Sequence, residues 1–411
     1  KIRRGVMIGA GIFAYNDRNE VTLSRNFTGT NPDATSDPET VALARQFSYD
    51  AIGNRLTSQS GTSSVRGYTS NALNQYTALT DPSASPVHDL DGNQIESGSG
   101  WYYEWDAENR LTLARDYATS PVNGSKKLEF TYDYQSRRIR KIESSYVSSA
   151  WTVNDDRKFI YQGWNLLGEF TTSGFARICA YTWGLDLSQT HQGAGGVGGL
   201  LAVTTATPST ATFFSTYDGN GNVSEYISST GGIEAHFEYD AFGDLTSSTG
   251  SSLGRFSHRF SSKYWDSSSG FYYYGYRYYN TSTGRWPNRD PIEEMGGINL
   301  YQYAKNNPVN LYDPLGLFAP SLLPAPAIAT PVVIGTALSV GVLVVAGYGY
   351  NELGNVFGDA MVEWQNRRPW RCEAKCQGRP TTPCAACPDW LYGTGAGPTQ
   401  PGLASKKWTV A

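Results

Sequence analysis

Short stretches of alternating apolar and polar residues recur along the chain, and each leads to an aromatic residue followed by Asp or Asn. Residues 235–239 (Ala-His-Phe-Glu-Tyr) have the two-residue period of a strand. The Asp that follows can bond its own backbone two residues on, and a later Gly or Asn supplies the left-handed conformation of a tight turn. The next apolar residue begins the return strand. The pattern therefore predicts a series of β-hairpins.

The hairpin unit is repeated, with several copies about 20 to 22 residues apart. A single hairpin is marginal in water, so the units must stack to bury one face. We therefore expect a mainly β fold, in which one long antiparallel sheet coils on itself. The alternative is an ordinary β-sandwich with chance similarity between turns. The best copies begin at Tyr49, Trp105, Tyr217 and Tyr239, weaker ones at Asn71, Asp91 and Tyr132, and residues 16–21 resemble a further unit.

Composition agrees with strands joined by tight turns. The 411 residues include 44 Gly and 28 Tyr, and only 17% are charged. The net charge of −4 gives no general signal for nucleic acid. Cys179 is the only cysteine before Cys372, which excludes a disulfide framework for most of the chain. Residues 193–203 are Gly-rich without a phosphate-loop signature, and we expect a turn that leads into a strand.

Residues 256–317 carry the most specific motif. It consists of the segments 259–266, 269–279, 283–286, 289–291, 296–303, 306–308 and 313–317, the last of which reads Asp-Pro-Leu-Gly-Leu. This run resembles the core motif of Rhs repeat proteins, and the upstream hairpin units resemble YD repeats. The resemblance covers residues 1–317, weakly at the start and strongly at the end.

The resemblance implies a fold and an activity. Rhs proteins, the C components of insecticidal toxin complexes and teneurins share a hollow shell of spiralling β-sheet, which encloses a C-terminal toxin in the bacterial members. The core motif forms a plug and acts as an aspartyl autoprotease that cuts just after Asp-Pro-x-Gly-Leu. Carried over, the scissile bond joins Leu317 to Phe318, Asp290 and Asp313 form the catalytic pair, and Arg289 is a supporting cation.

The same resemblance implies an organisation and partners. Residues 1–255 would form the shell, 256–317 the autoprotease plug and 318–411 the variable cargo. The partners would be this cargo, an immunity protein and a secretion machinery, and the protein would be secreted or lie on the surface of a bacterium. Closed shells of the family generally contain more repeats than residues 1–317 supply. We therefore expect either a partial shell or a partner that completes it.

The carboxylate chemistry can be stated without the resemblance. Two adjacent carboxylates cannot both ionise cheaply, so one can act as a general base on water while the other protonates the carbonyl or the leaving amide. A neighbouring Arg can stabilise negative charge. The alternative is that Asp290-Pro291 and Asp313-Pro314 are only turn starters.

The tail, residues 318–411, has no repeat pattern. Residues 331–350 form a 20-residue apolar stretch that is long enough to span a bilayer. Three interpretations remain open: a membrane-inserting segment, a buried apolar helix, or a chaperone-like stretch sheltered in the shell. All four His residues lie before the tail, which excludes His-dependent nuclease or Ser-His protease chemistry there.

Four cysteines cluster in the tail: Cys372, Cys376, Cys384 and Cys387. Four thiolates suit a structural zinc site, and two disulfides fit equally if the tail acts outside the cell. The Pro-Cys-x-x-Cys half of the zinc-deaminase sequence motif is present, but its His-x-Glu half is not, which argues against a deaminase. For the shell we expect no cofactor.

The leading hypothesis is a polymorphic-toxin delivery protein that cuts itself free of its cargo. Two rivals remain. One is a structural cell-surface or adhesion YD protein without protease activity, anchored through residues 331–350. The other is a degenerate remnant whose shell no longer folds.

Overall fold

The computed structural model describes residues 2–3, 6–7, 10–27, 39–206 and 209–317. Its strands are short and its described helices are single 3-10 turns. The first strands are β1 (Ile2–Arg3), β2 (Val6–Met7), β3 (Ala10–Tyr15), β4 (Val21–Phe27), β5 (Arg45–Tyr49), β6 (Arg55–Ser60), β7 (Arg66–Ser70), β8 (Tyr76–Leu79), β9 (Val87–His88), β10 (Gln94–Glu96), β11 (Tyr102–Trp105), β12 (Leu111–Arg115) and β13 (Lys126–Tyr132). They are followed by β14 (Arg138–Val147), β15 (Ala150–Gln162), β16 (Asn165–Thr171), β17 (Arg177–Trp183), β18 (Leu200–Thr205), β19 (Ala211–Tyr217), β20 (Val223–Ser228), β21 (Ile233–Tyr239), β22 (Leu245–Thr249), β23 (Tyr264–Asp266), β24 (Phe271–Tyr273) and β25 (Tyr278–Tyr279).

Within each sheet, every strand pairs with the next strand along the chain in antiparallel fashion, which confirms the mainly β prediction. The repeats form two sheets, however, where one continuous sheet was expected: β3 to β8 make a six-stranded sheet, and β9 to β22 a fourteen-stranded sheet. The chain leaves the ladder between β8 and β9, where Pro82 and Pro86 have no N–H to donate and Leu79 pairs locally with Ala84. A separate three-stranded sheet, β23 to β25, belongs to the core motif.

The repeat turns have the geometry expected from their residues. Asp50 Oδ1 accepts the N–H groups of Ile52 and Asn54 at 3.1 and 2.8 Å. Gly53 follows with φ +87°, which a residue without a Cβ adopts at little cost. The side chains that open further turns of this kind are Asn16, Asn71, Asp89, Asp106, Asp133, Asp218 and Asp240.

One predicted repeat start is wrong by two residues. The turn assigned to Asp91 is opened by Asp89, whose Oδ1 accepts the N–H of Asn93 at 2.7 Å. The position with positive φ is Gly92, at +86°, and it stands where Gly53 stands in the Asp50 turn. An opening at Asp91 would not put a glycine at that position.

A Tyr or Trp before most of the turns links neighbouring repeats through a hydrogen bond to a backbone carbonyl. Tyr239 donates its hydroxyl hydrogen to the Val223 carbonyl at 2.9 Å, at the start of the return strand of the preceding turn. A Tyr or Trp supplies this donor and a Phe does not. The equivalent bonds run from Tyr49 to Val21, Trp105 to Gln94, Tyr132 to Leu111, Tyr161 to Arg138, Trp183 to Leu166 and Tyr217 to Leu200.

The core motif packs on one face of the fourteen-stranded sheet. Apolar side chains of the sheet and of the motif share one cluster, which includes Phe159, Phe237, Phe256, Tyr264, Phe271, Tyr273 and Tyr278. An ionic anchor supports it: the buried Asp266 lies 2.8 Å from Arg138 and 2.6 Å from Lys141 of β14. Rings of Phe159, Tyr264 and Tyr273 surround the Arg138 guanidinium at 4.8 to 4.9 Å. The motif is thereby fixed to the sheet.

The Gly-rich segment before β18 is a turn that leads into a strand, as predicted. The apolar stretch 331–350 and the four tail cysteines lie outside the described residues. Within the described part of the chain, no helix is long and apolar enough to span a membrane.

Candidate carboxylate site

Asp290 and Asp313 meet at one arginine, Arg277, which directly precedes β25. Its Nη2 lies 2.7 Å from Asp290 Oδ2 and 3.5 Å from Asp313 Oδ2. The arginine and Asp313 are each 2% exposed, and Asp290 is 7% exposed. The guanidinium also lies over the Trp286 ring at 4.2 Å. The fold therefore joins two buried carboxyl groups, distant in sequence, through one buried cation.

The segment Asp313–Leu317 is folded tightly around the Asp313 carboxylate. Asp313 Oδ1 accepts the N–H groups of Leu315, Gly316 and Leu317 at 3.2, 2.7 and 3.0 Å. The carbonyl of Leu315 accepts the Tyr276 N–H at 3.0 Å, and the carbonyl of Gly316 accepts the Arg277 Nε–H. We call residues 313–317 the cleavage loop. Its backbone is held on both sides.

The Leu317 carbonyl group lies beside Asp290. The point where a side chain on Gly296 would begin is 2.4 Å from Asp290 Oδ2 and 2.6 Å from the Leu317 oxygen. The carboxyl oxygen and the carbonyl oxygen thus border the same small space, which the missing Cβ of Gly296 leaves open. Leu317 itself is 1% exposed.

Burial sets the protonation of the pair. It raises the pKa of Asp290 to about 7; the nearby Arg277 opposes this rise and the charge of Asp313 adds to it. Burial also raises the pKa of Asp313, against Arg277 and the three backbone N–H donors. Burial lowers the pKa of Arg277, and both carboxylates oppose that change. Three backbone amides stabilise the anion of Asp313, whereas the closer Arg277 and the Ile292 amide stabilise that of Asp290.

The predicted site residues fall into three groups. Asp290 and Asp313 come together as expected, with Leu317 beside them. Arg289, expected as the supporting cation, lies elsewhere: its Nε approaches Gly92 in the Asp89 turn, at 2.4 Å from the point where a Gly92 side chain would begin. Phe318 lies outside the described residues, as do Cys372, Cys376, Cys384 and Cys387. Among the residues that the structure describes, no cluster of three or more His, Cys, Asp or Glu is suited to a metal.

Arg277 is the functional residue that the sequence reasoning missed. Arg289 was chosen because it directly precedes Asp290, but neighbouring residues in an extended chain point to opposite sides. A signal for Arg277 was present. It is the only charged residue in the aromatic run 271–279, and a charge placed in so apolar a segment needs a buried partner.

Comparisons with known proteins find bacterial toxins among the relatives of the chain, although no family model matches it. It is 28% identical over 280 residues to the tRNA3(Ser)-specific nuclease WapA of Bacillus spizizenii, over 66% of this chain and 11% of that protein. It is 26% identical over 301 residues to toxin subunit YenC1 of Yersinia entomophaga, over 66% of this chain and 28% of that protein. The chain thus spans less than a third of the length of either relative.

A solved structure shares the fold. The crystal structure of TcdB2-TccC3-Cdc42 matches 75% of this chain and 17% of that one, with a TM-score of 0.52 and 19% identity. At this identity the likeness concerns the fold alone. The repeat turns and the core motif agree with these toxin relatives, and the chain is similar to Rhs/YD-repeat toxin proteins.

Proposed function

We propose that the core motif, residues 256–317, is an intramolecular aspartyl protease that hydrolyses the bond between Leu317 and Phe318. The chain from Phe318 onward is then the effector that the cut releases. The observation that carries this proposal is the meeting of Asp290, Asp313 and the Leu317 carbonyl around Arg277. Aspartates that only start turns do not need a shared, buried cation.

The two carboxyl groups have separate roles. Asp290, protonated near neutral pH, donates to the Leu317 carbonyl oxygen. Asp313, ionised, takes a proton from a water molecule, whose oxygen attacks the Leu317 carbonyl carbon. As the C–N bond breaks, the proton held by Asp313 passes to the nitrogen of Phe318, and the hydroxyl group formed from the carbonyl oxygen returns its proton to Asp290. The products are a carboxyl group on Leu317 and an amine on Phe318, and Arg277 stabilises the negative charge that develops.

The relatives support a role in toxin delivery. One is named as a nuclease and another as a toxin subunit. By the same likeness we infer a secreted bacterial protein whose β fold shelters the effector, with an immunity protein and a secretion machinery as partners. The chemistry of the effector is independent of the core motif, and its cysteines are the residues that would hold a structural zinc.

The test is the intact mass of the purified chain under denaturing conditions, beside Asp290→Asn and Asp313→Asn. The matched control is Asp240→Asn. Asp240 opens a repeat turn, its side chain is 7% exposed against 6% for Asp290, and burial raises its pKa to about 6. We expect wild type and Asp240→Asn to be cut after Leu317 and both core-motif variants to stay whole. A folded wild-type chain that stays whole would support the rival structural YD protein.

A further inference from the structure

A second buried cation, a lysine, also binds the cleavage loop. Lys263 is 7% exposed, and its Nζ donates to the Pro314 carbonyl and to the Gly195 carbonyl, each at 2.6 Å. Pro314 belongs to the cleavage loop, whereas Gly195 belongs to the Gly-rich turn between β17 and β18. One ammonium group therefore connects the scissile segment with the fourteen-stranded sheet.

The Gly-rich turn is shaped to fit against the cleavage loop. Asp186, 2% exposed, accepts the N–H groups of Ala194 and Gly196 at 2.7 and 3.1 Å. Gly195 has φ +63°, and a Cβ there would lie 2.1 Å from the Pro314 oxygen. The backbone of this turn therefore approaches Pro314 as closely as a residue without a side chain permits.

We propose that Lys263 is a positioning residue for self-cleavage: together with Gly195 it clamps the Pro314 carbonyl and so fixes where the Leu317 carbonyl lies relative to Asp290. The inference rests on the proposed function. The carbonyls of Pro314, Leu315 and Gly316 each accept a donor, from Lys263, Tyr276 and Arg277 respectively. The Leu317 carbonyl is the next along the chain, so the three anchors place it beside Asp290.

The lysine also acts through its charge. Asp313 and Asp186 attract the ammonium, while His258 lies close enough for the lysine to lower the pKa of the imidazole. The Tyr274 ring lies 5.4 Å from Nζ. Attraction between Lys263 and Asp313 is mutual, so the cation favours the ionised carboxylate that serves as the base.

The first test compares Lys263→Met with Lys141→Met. Lys141 is 6% exposed and also charge-paired, but it binds Asp266 and not the cleavage loop. Full-length chains from cell-free translation are moved into buffers of pH 5 to 9, and the uncut fraction is followed by intact mass. We expect Lys263→Met to slow cleavage roughly 10- to 100-fold, because a small displacement of reacting groups costs about that much. Lys141→Met should cut at the wild-type rate per folded molecule.

The pH profile separates positioning from general destabilisation. Without the lysine charge, Asp313 is protonated at a higher pH, so the acid limb of the rate profile should shift upward in Lys263→Met and stay in place in Lys141→Met. A wild type that never cuts would refute the proposed function. A wild type that cuts, with Lys263→Met equally fast and unshifted, would overturn only the clamp.

A second pair of variants decides the matter if Lys263→Met does not fold. Gly195→Ala puts a Cβ against the Pro314 oxygen, whereas Gly231→Ala carries the same kind of strain, at φ +85°, in open space. We expect Gly195→Ala to lose cleavage and Gly231→Ala to keep it. Equal cleavage by the two glycine variants would contradict the clamp.

Discussion

The aspartates of the repeat turns and Asp313 of the core motif make similar local bonds in different surroundings. The Asp133 side chain accepts the backbone N–H groups of the residues two and four positions later in the chain. The Asp313 side chain accepts those of the residues two, three and four positions later. The Asp133 side chain is 15% exposed and paired with its neighbour Arg137, whereas that of Asp313 is 3% exposed and shares Arg277 with Asp290. Opening a turn therefore does not exclude a catalytic role. Asp313 differs in that it shares a buried cation with a second carboxyl group, that of Asp290.

Removing the cation from each kind of site should give the largest contrast. Both substitutions are made in the Asp290→Asn chain, where no cleavage is expected. Arg277→Met leaves the buried Asp313 unpaired and should lower the free energy of unfolding by about 3–5 kcal/mol. Arg137→Met removes a pair in which both side chains are partly exposed and should cost about 1 kcal/mol or less. Urea unfolding measures both, and similar losses would contradict the contrast.

The rate of self-cleavage should report the proton on Asp290. Because this carboxyl group must donate, its active form is lost as the pH rises through a pKa of about 7. We expect the rate to be level just below that pH and to fall about tenfold per unit well above it. Time courses by intact mass between pH 5 and 9 measure this. A rate that rises through the same range would reverse the roles given to the two aspartates.

Asp240 tests whether burial, with a smaller contribution from the charge of Asp244, raises the pKa of a turn aspartate. It keeps its proton up to a pH of about 6 when folded, whereas an unfolded chain releases it near pH 4. Between these values the folded chain binds more protons, so raising the pH should lower the free energy of unfolding by on the order of 1 kcal/mol per unit. Asp240→Asn should flatten that slope in urea unfolding. An unchanged slope would assign it to other groups.

The smallest effect is expected from the Tyr hydroxyl groups that donate to a backbone carbonyl of the preceding repeat. Tyr239→Phe removes the hydroxyl donor to the Val223 carbonyl and should cost about 1 kcal/mol of stability. Tyr49→Phe, which loses the bond to Val21, should cost a similar amount. Neither should alter cleavage. A Phe variant as stable as wild type would show that water replaces the lost donor.

The sequence predicted most where local chemistry determines structure. An Asp followed by a residue with positive φ specifies a turn by itself, so the turns at Asp50, Asp106, Asp218 and Asp240 were found. The Asp91 assignment was wrong because the turn needs its glycine three residues after the opening Asp, and Gly92 stands at that distance from Asp89. The sequence did not predict the interruption between β8 and β9, because it depends on whether these two strands form hydrogen bonds with each other.

The candidate site was predicted only in part, because its parts come from distant positions. The motif identified Asp290 and Asp313, but Arg277, Lys263 and Gly195 meet them only through the fold. Adjacency in sequence favoured Arg289, whose side chain lies near Gly92. Contacts between residues far apart in the chain produce no periodic pattern in the sequence. A single charged residue in an aromatic run does, however, indicate a buried partner.

Cleavage in heavy-oxygen water tests the central claim most directly. The chain is synthesised in buffer prepared with ¹⁸O water, and the two fragments are weighed intact. Hydrolysis by the aspartate pair predicts a fragment that ends at Leu317 and carries one heavy oxygen in its new carboxyl group, together with a fragment that begins at Phe318 and carries none. A cut at another bond, or a Leu317 terminus without the label, would contradict a water-dependent aspartyl protease at this site.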